Sequence, residues 1–299
     1  MFNPKLLGLL LLVSCAADVR SDAPDVESLS IRRSICGFSH PESVAAARGR
    51  YFVSNIGAEL DPTAADADGF ISELDRHGEI LALRAFAPLD APKGLAVVER
   101  TLYVADLARV VGFDIDSHER VFEASVTGDT PVLLNDLAVV DTHTLWVSDT
   151  LGNALWRLDL PSAGLTPIAH DVLGANGIAI DHARGRAYVV GVGADFGGGG
   201  LYELALDGNG GAREIDGPFG VLDGLALLHD GRLIASDWVE LEQPAAGELI
   251  TFTRAGKRQR TVRLAEELHG PADFYYDARA ELLWVPAMAD NCVRVVPVP

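Results

Sequence analysis

The chain is short of basic residues, short of cysteine and nearly devoid of helical periodicity, and each shortage narrows what it can be. Lysine and arginine number 24 against 43 aspartates and glutamates, a formal net charge of −19. Phosphate contact needs clustered Lys and Arg, so this balance argues against nucleic acid as a partner. No G-x-S-x-G elbow and no H-E-x-x-H pair occurs, which argues against a serine hydrolase and a zincin. Long apolar runs are missing too. The one that stands out, Leu6 to Val13, is too short to cross a bilayer as a helix. Only three cysteines are present, Cys15, Cys36 and Cys292.

The short apolar run follows Lys5 and ends in Leu12-Val13-Ser14-Cys15. This pattern resembles a bacterial lipobox, in which the cysteine is acylated and becomes the mature N-terminus. An ordinary secretory signal with a chance cysteine is the other reading. The expected organisation is a lipoprotein signal peptide over 1–14, a polar tether over 15–27 and a single domain over 28–299. The chain is then exported, membrane-anchored through Cys15 and facing the periplasm. Ala16 rather than Asp after the cysteine resembles the enterobacterial signal for the outer membrane.

Past Cys36, short apolar runs alternate with Gly, Asp and Asn turns. A turn, a short strand, a tight turn and a second strand recur. Val44, Leu95, Leu137, Ile178, Leu225 and Phe274 mark the first strands, at intervals of 41 to 51 residues. Periods of about 40 to 50 residues with several strands each are propeller blades. The expected fold is therefore all-β, a six-bladed β-propeller. The last blade runs out of sequence after its third strand, Cys292 to Val296. The segment Leu29 to Cys36 has strand character and is expected to supply the fourth, closing the ring and removing an edge. Cys36 and Cys292 would then end and begin neighbouring antiparallel strands, in reach of a disulfide. Two buried free thiols are the alternative.

Innermost strands surround the central channel. Two residues before each marker, that ring reads Glu42, Lys93, Asn135, Asn176, Asp223 and Ala272. Two carboxylates and two carboxamides on one axis make a hard oxygen cage without Cys or His. Ca²⁺, which takes six to eight oxygen ligands, fits best. The competing reading is that Asn and Asp open strands because they favour turns. That reading is kept for Asn55, Asp106, Asp149 and Asp237, which end second strands.

The order Glu, Asn-Asp, Asn-Gly, Asp-Gly across blades one, three, four and five resembles the regucalcin/gluconolactonase family, related to paraoxonases and diisopropylfluorophosphatase. The resemblance spans nearly the whole mature chain. It implies a six-bladed propeller with one central calcium on Glu42, Asn135, Asn176 and Asp223, and a hydrolase of a small lactone, ester or related electrophile. It also implies Asp223 as the base for the attacking water. Two positions depart from the pattern. Lys93 stands where paraoxonases carry a histidine, and is expected to pair with an acidic substrate or steady the oxyanion; it could also replace the metal. Ser43 stands where paraoxonases have an Asp for a deeper second calcium, leaving Asp136 alone to match that site. His40 and His269, near the channel mouth, are candidates for supporting or acid–base roles, or are simply hydrogen-bonded loop histidines. Residues 61–69 read as a polar loop overhanging the channel. A non-enzymatic propeller of the NHL type, binding a ligand or a protein, is the rival to the hydrolase.

Overall fold

The alternation of short apolar runs and turns folds, in the computed structural model, into six antiparallel sheets set around one axis. Residues 26–128, 131–194, 196–241 and 245–299 are described. Among them are 25 strands and a single 3-10 turn, Met288–Asp290. The fold is a six-bladed β-propeller. Its innermost strands are Pro41–Ala47, Pro92–Val98, Leu134–Asp141, Ala175–Asp181, Leu222–Leu227 and Tyr275–Asp277.

The core is not central but distributed. Six clusters of buried side chains each join two neighbouring blades. Phe52, Ile71 and Phe86 of blade one, for example, pack on Leu102, Val104 and Phe113 of blade two. Blades six and one meet through Trp284, Val293 and Val295 against Val44, Val53 and Leu74. The second strand of each blade is apolar in consecutive residues because both its faces are covered, as in Leu145-Trp146-Val147.

Ring closure follows the expected route with one change. Arg33–Cys36 pairs antiparallel with Cys292–Pro297 as the outermost strand of blade six. Leu29 to Cys36, however, is not one strand. Val26–Leu29 is a separate strand, running parallel to Arg258–Leu264 as a fifth strand on blade five. The chain therefore bridges two blades before it enters the first. The strand also takes in Val26 and Glu27, which the sequence reading assigns to the tether. Glu27 forms an ion pair with Arg260, and Leu29 is buried in the cluster between blades five and six. The expected signal peptide, Cys15 and the expected tether up to residue 25 lie outside the described residues.

Cys36 sits opposite Cys292 in register, and the two are joined by a disulfide across 256 residues of sequence. The bond ties Arg33–Cys36 to Cys292–Pro297, the last strand of the chain. Replacing both cysteines by serine is expected to lower the unfolding free energy by about 2–4 kcal/mol, through the loss of a constraint on the unfolded chain. Denaturant unfolding of oxidised wild type against the double variant measures this, and equal stabilities would contradict it.

Candidate functional site

The ring residues are aimed by a repeated backbone device. In blades one to five the pairing of the innermost strand slips by one residue where the ring residue stands. Pro41 faces Asn55 but Val44 faces Val53, and the same slip falls between Pro92 and Leu95, Leu134 and Leu137, Ala175 and Ile178, and Leu222 and Leu225. Such bulges re-aim a side chain and are common beside active sites. Side chains of the second strand hold them. The Ser54, Ser148 and Ser236 hydroxyls accept the backbone N–H groups of Ser43, Asp136 and Gly224 at 2.8 Å. The neighbouring Asn55, Asp106, Asp149 and Asp237 accept N–H groups from the connection entering the same blade, those of Ser39, Ala91, Leu133 and Val221. These four are turn-capping groups, as the sequence suggests. Gly94 and Gly177 follow ring residues because a Cβ there would meet the next blade's backbone, Asn135 O at 2.5 Å and Asp223 O at 2.4 Å.

Glu42, Lys93, Asn135, Asn176 and Asp223 all line one cavity of about 280 Å³ at the end of the channel. All five are buried. Ala272, the sixth ring position, is buried in a small apolar cluster with Ile56, Ala91 and Met288. Among the described residues, seven buried side-chain N or O atoms have no hydrogen-bond partner. Three are nitrogens. The four oxygens are Glu42 Oε2, Asn135 Oδ1, Asn176 Oδ1 and Asp223 Oδ1. Buried polar atoms are nearly always paired, so four orphaned acceptors around one cavity form a set that calls for a cation. Their orientation is built in. Thr150 Oγ donates to Ala175 O at 2.8 Å and so accepts from Asn135 Nδ2 at 3.1 Å, which turns Asn135 Oδ1 away from it. Two carboxylates and two carboxamides are hard donors and fit Ca²⁺. No cluster of three or more His, Cys, Asp and Glu gathers as a metal site among the described residues, and this mixed set is not of that kind.

Lys93 does not fill the cage. It makes no ion pair with Glu42 or Asp223; its Nζ donates to Pro62 O at 2.7 Å and Ala91 O at 2.9 Å. The first of these bonds holds the 57–68 loop over the channel, where Leu60 and Pro62 form part of the wall, and the second ties Lys93 to the entry of its own strand. The third N–H has no partner among the described residues. Burial pulls the Lys93 pKa down to about 8, against the raising effect of Glu42 and Asp106.

Trp238 is the residue that sequence reasoning missed. It lines the cavity and donates Nε1–H to Asp223 Oδ2 at 2.9 Å. Burial pushes the Asp223 pKa up to about 7, against the lowering effect of Trp238. Glu42 is raised well above its usual range, first by burial and then by Asp223. Deeper, Asp136 accepts the Leu137 and Ile178 N–H groups, and burial raises it to about 6. Ser43, read as a gap in that tier, donates to Asp273 instead. Asp273 is a buried carboxyl that lies one residue past the ring in blade six. His40 and His269 do not line the cavity. They are loop histidines, with Nδ1 against Gly57 O at 3.1 Å and Asp290 Oδ1 at 2.8 Å respectively.

No protein-family profile matches the chain, and no curated protein sequence does. Solved structures share its fold. A gluconolactonase from Xanthomonas campestris superposes with a TM-score of 0.66 at 15% identity, over 94% of this chain and 99% of that one. Hydrazine synthase from Kuenenia stuttgartiensis matches at TM-score 0.58 and 14% identity, over 83% and 74% of the two chains. A chain of a nidogen/laminin complex matches at 0.54 and 16%, over 81% and 83%. These likenesses define the class, a six-bladed propeller of the architecture that a gluconolactonase also uses.

The raised carboxyls have a consequence for the cation-free protein. Asp223 and Asp136 titrate near 7 and 6 when folded, against about 3.9 in an unfolded chain. The folded state then binds protons more tightly. The stability these groups contribute is full below the unfolded value and is lost as pH rises through the folded values. Chelated protein is therefore expected to melt at a lower temperature at pH 8 than at pH 5, and added calcium to raise Tm more at pH 8. A calcium shift equal at both pH values would contradict a site built on these carboxylates.

Proposed function

We propose that this chain is a calcium-dependent hydrolase of a small lactone, ester or related electrophile, with its site in the central channel. The observation that carries the reading is the set of four buried, partnerless oxygens on Glu42, Asn135, Asn176 and Asp223 at one cavity. The shared architecture with a gluconolactonase agrees with it. These four residues would hold the ion. When bound, it supplies Lewis-acid polarisation of a substrate carbonyl.

The remaining chemistry belongs to the chain. Asp223 is the general base. Its Oδ2 keeps a lone pair beside the Trp238 N–H, and that atom takes the proton as water oxygen bonds to the carbonyl carbon. The same proton passes to the alkoxide oxygen when the C–O bond breaks, so a lactone leaves as a hydroxy acid. Trp238 positions Asp223. Lys93 lowers the pKa of both Glu42 and Asp223, offsetting part of the rise that burial causes. Its grip on Pro62 holds the 57–68 loop over the mouth and limits access of bulk water. The likeness of Leu12–Cys15 to a lipobox supports an exported lipoprotein acylated at Cys15, and Ala16 after it supports the outer membrane as its location.

Purified protein is expected to carry one calcium per chain by elemental analysis and to lose lactone turnover on chelation. Asp223→Asn, which keeps volume and one oxygen, should lower kcat by about 100-fold or more while the far-UV spectrum stays that of a folded propeller. Trp238→Phe removes a donor that lowers the Asp223 pKa, so the acidic limb of the pH–rate profile should move to higher pH. Absence of both metal and chelator-sensitive turnover would favour a ligand-binding propeller instead.

A further inference from the structure

The wall above the oxygen cage has a chemistry of its own. Among the described residues, nine of the sixteen that line the cavity are apolar, and Trp238 is apolar but for its N–H. Apart from the third Lys93 N–H, the polar ones sit at the cage or spend donors inside the protein. Asn135 donates to Thr150, Thr150 to Ala175 O, Trp238 to Asp223, and Lys93 to Pro62 O and Ala91 O. No Arg, Ser or Tyr is among the lining residues. A sugar-acid lactone carries several hydroxyls, and against Ile56, Leu133, Val192, Val221 and Met288 they would find no partner. An alkyl or aryl group meets the opposite situation and gains by leaving water.

The apolar surface does not stop at the cavity. Leu60, Phe196 and Leu241 line it and remain exposed on their outer sides. Leu151, Leu173 and Val239 are exposed on connections at the same end of the blades. Three of the ten exposed large apolar side chains among the described residues thus line this one mouth, and three more lie at the same end of the blades. A chain attached to the reacting group can leave by the mouth and stay in apolar contact.

We infer that the site takes lactones or esters bearing an uncharged apolar group, and discriminates against polyhydroxylated sugar-acid lactones. The reacting carbonyl rests on the hydrolase reading above; the choice of apolar over polyhydroxylated group rests on the wall alone.

The test separates the two. Calorimetry on the purified full chain in calcium buffer compares γ-lactams bearing butyl, hexyl and octyl chains with gluconolactam, while kcat/KM is measured for the matching lactones. Affinity is expected to rise about two- to fourfold per methylene until the chain outruns the wall. Gluconolactam is expected to bind at least about tenfold more weakly than the octyl lactam. Phe196→Ala should flatten the chain-length slope and cost the octyl lactam about tenfold. Alkyl-lactam binding without turnover of any lactone supports the apolar site and overturns the hydrolase reading. Preferred turnover of gluconolactone keeps the hydrolase reading and overturns this inference. Gluconolactam binding as tightly as octyl lactam, or neither binding at all, also overturns it.

Discussion

A four-stranded antiparallel sheet whose middle strands are apolar on both faces cannot cover itself. In this protein each such sheet covers its neighbour, and the ring must close for the first and last blades to be covered too. Everything else depends on that closure. It explains why the six apolar clusters lie between blades rather than within them, as with Phe86 against Phe113. It explains why Arg33–Cys36 is carried across to Cys292–Pro297, and why a disulfide at that seam joins residues so distant in sequence. It also brings the innermost strands so close that Gly94 and Gly177 have no room for a Cβ.

Closure has an electrostatic consequence. The starts of the innermost strands converge at the axis, so any polar residue there is desolvated beside its counterparts. Glu42, Asp136, Asp223 and Asp273 all have raised pKa values, with burial the largest cause in each case. Lys93 supplies one positive charge to this region but directs its hydrogen bonds to carbonyls. The acceptors left over are those a hard cation would take. A fold that gathers carboxylates out of water has built a set of acceptors suited to a hard cation.

Much of this was legible in the chain. Blade number could be counted because each copy repeats the same turn and strand pattern, and the ring could be read because its register relative to Val44, Leu95 and their equivalents is kept. Asn55, Asp106, Asp149 and Asp237 were legible as caps because they close second strands. Other features left no such trace. Trp238 is one aromatic after a strand end, and nothing local says that its N–H meets Asp223 fifteen residues earlier. Asp273 gave no signal because its partner, Ser43, lies in another blade. His40 and His269 sit near the mouth in sequence terms, but their loops turn them toward Gly57 and Asp290.

By itself, then, the sequence determined the strand pattern, the number of blades and the identity of the residues on the axis, because these depend on local periodicity and on residues a few positions apart. Only the tertiary structure decided where those side chains point. The one-residue slips that aim Glu42, Asn135, Asn176 and Asp223 arise between paired strands, held by hydroxyls of the opposite strand such as Ser54 and Ser148. The apolar wall is assembled from connections of several blades, so no single stretch of chain contains it. The division of Val26–Leu29 from Arg33–Cys36 has the same origin. Both segments have strand character, but which sheet accepts each one is set by the edges that blades five and six leave open.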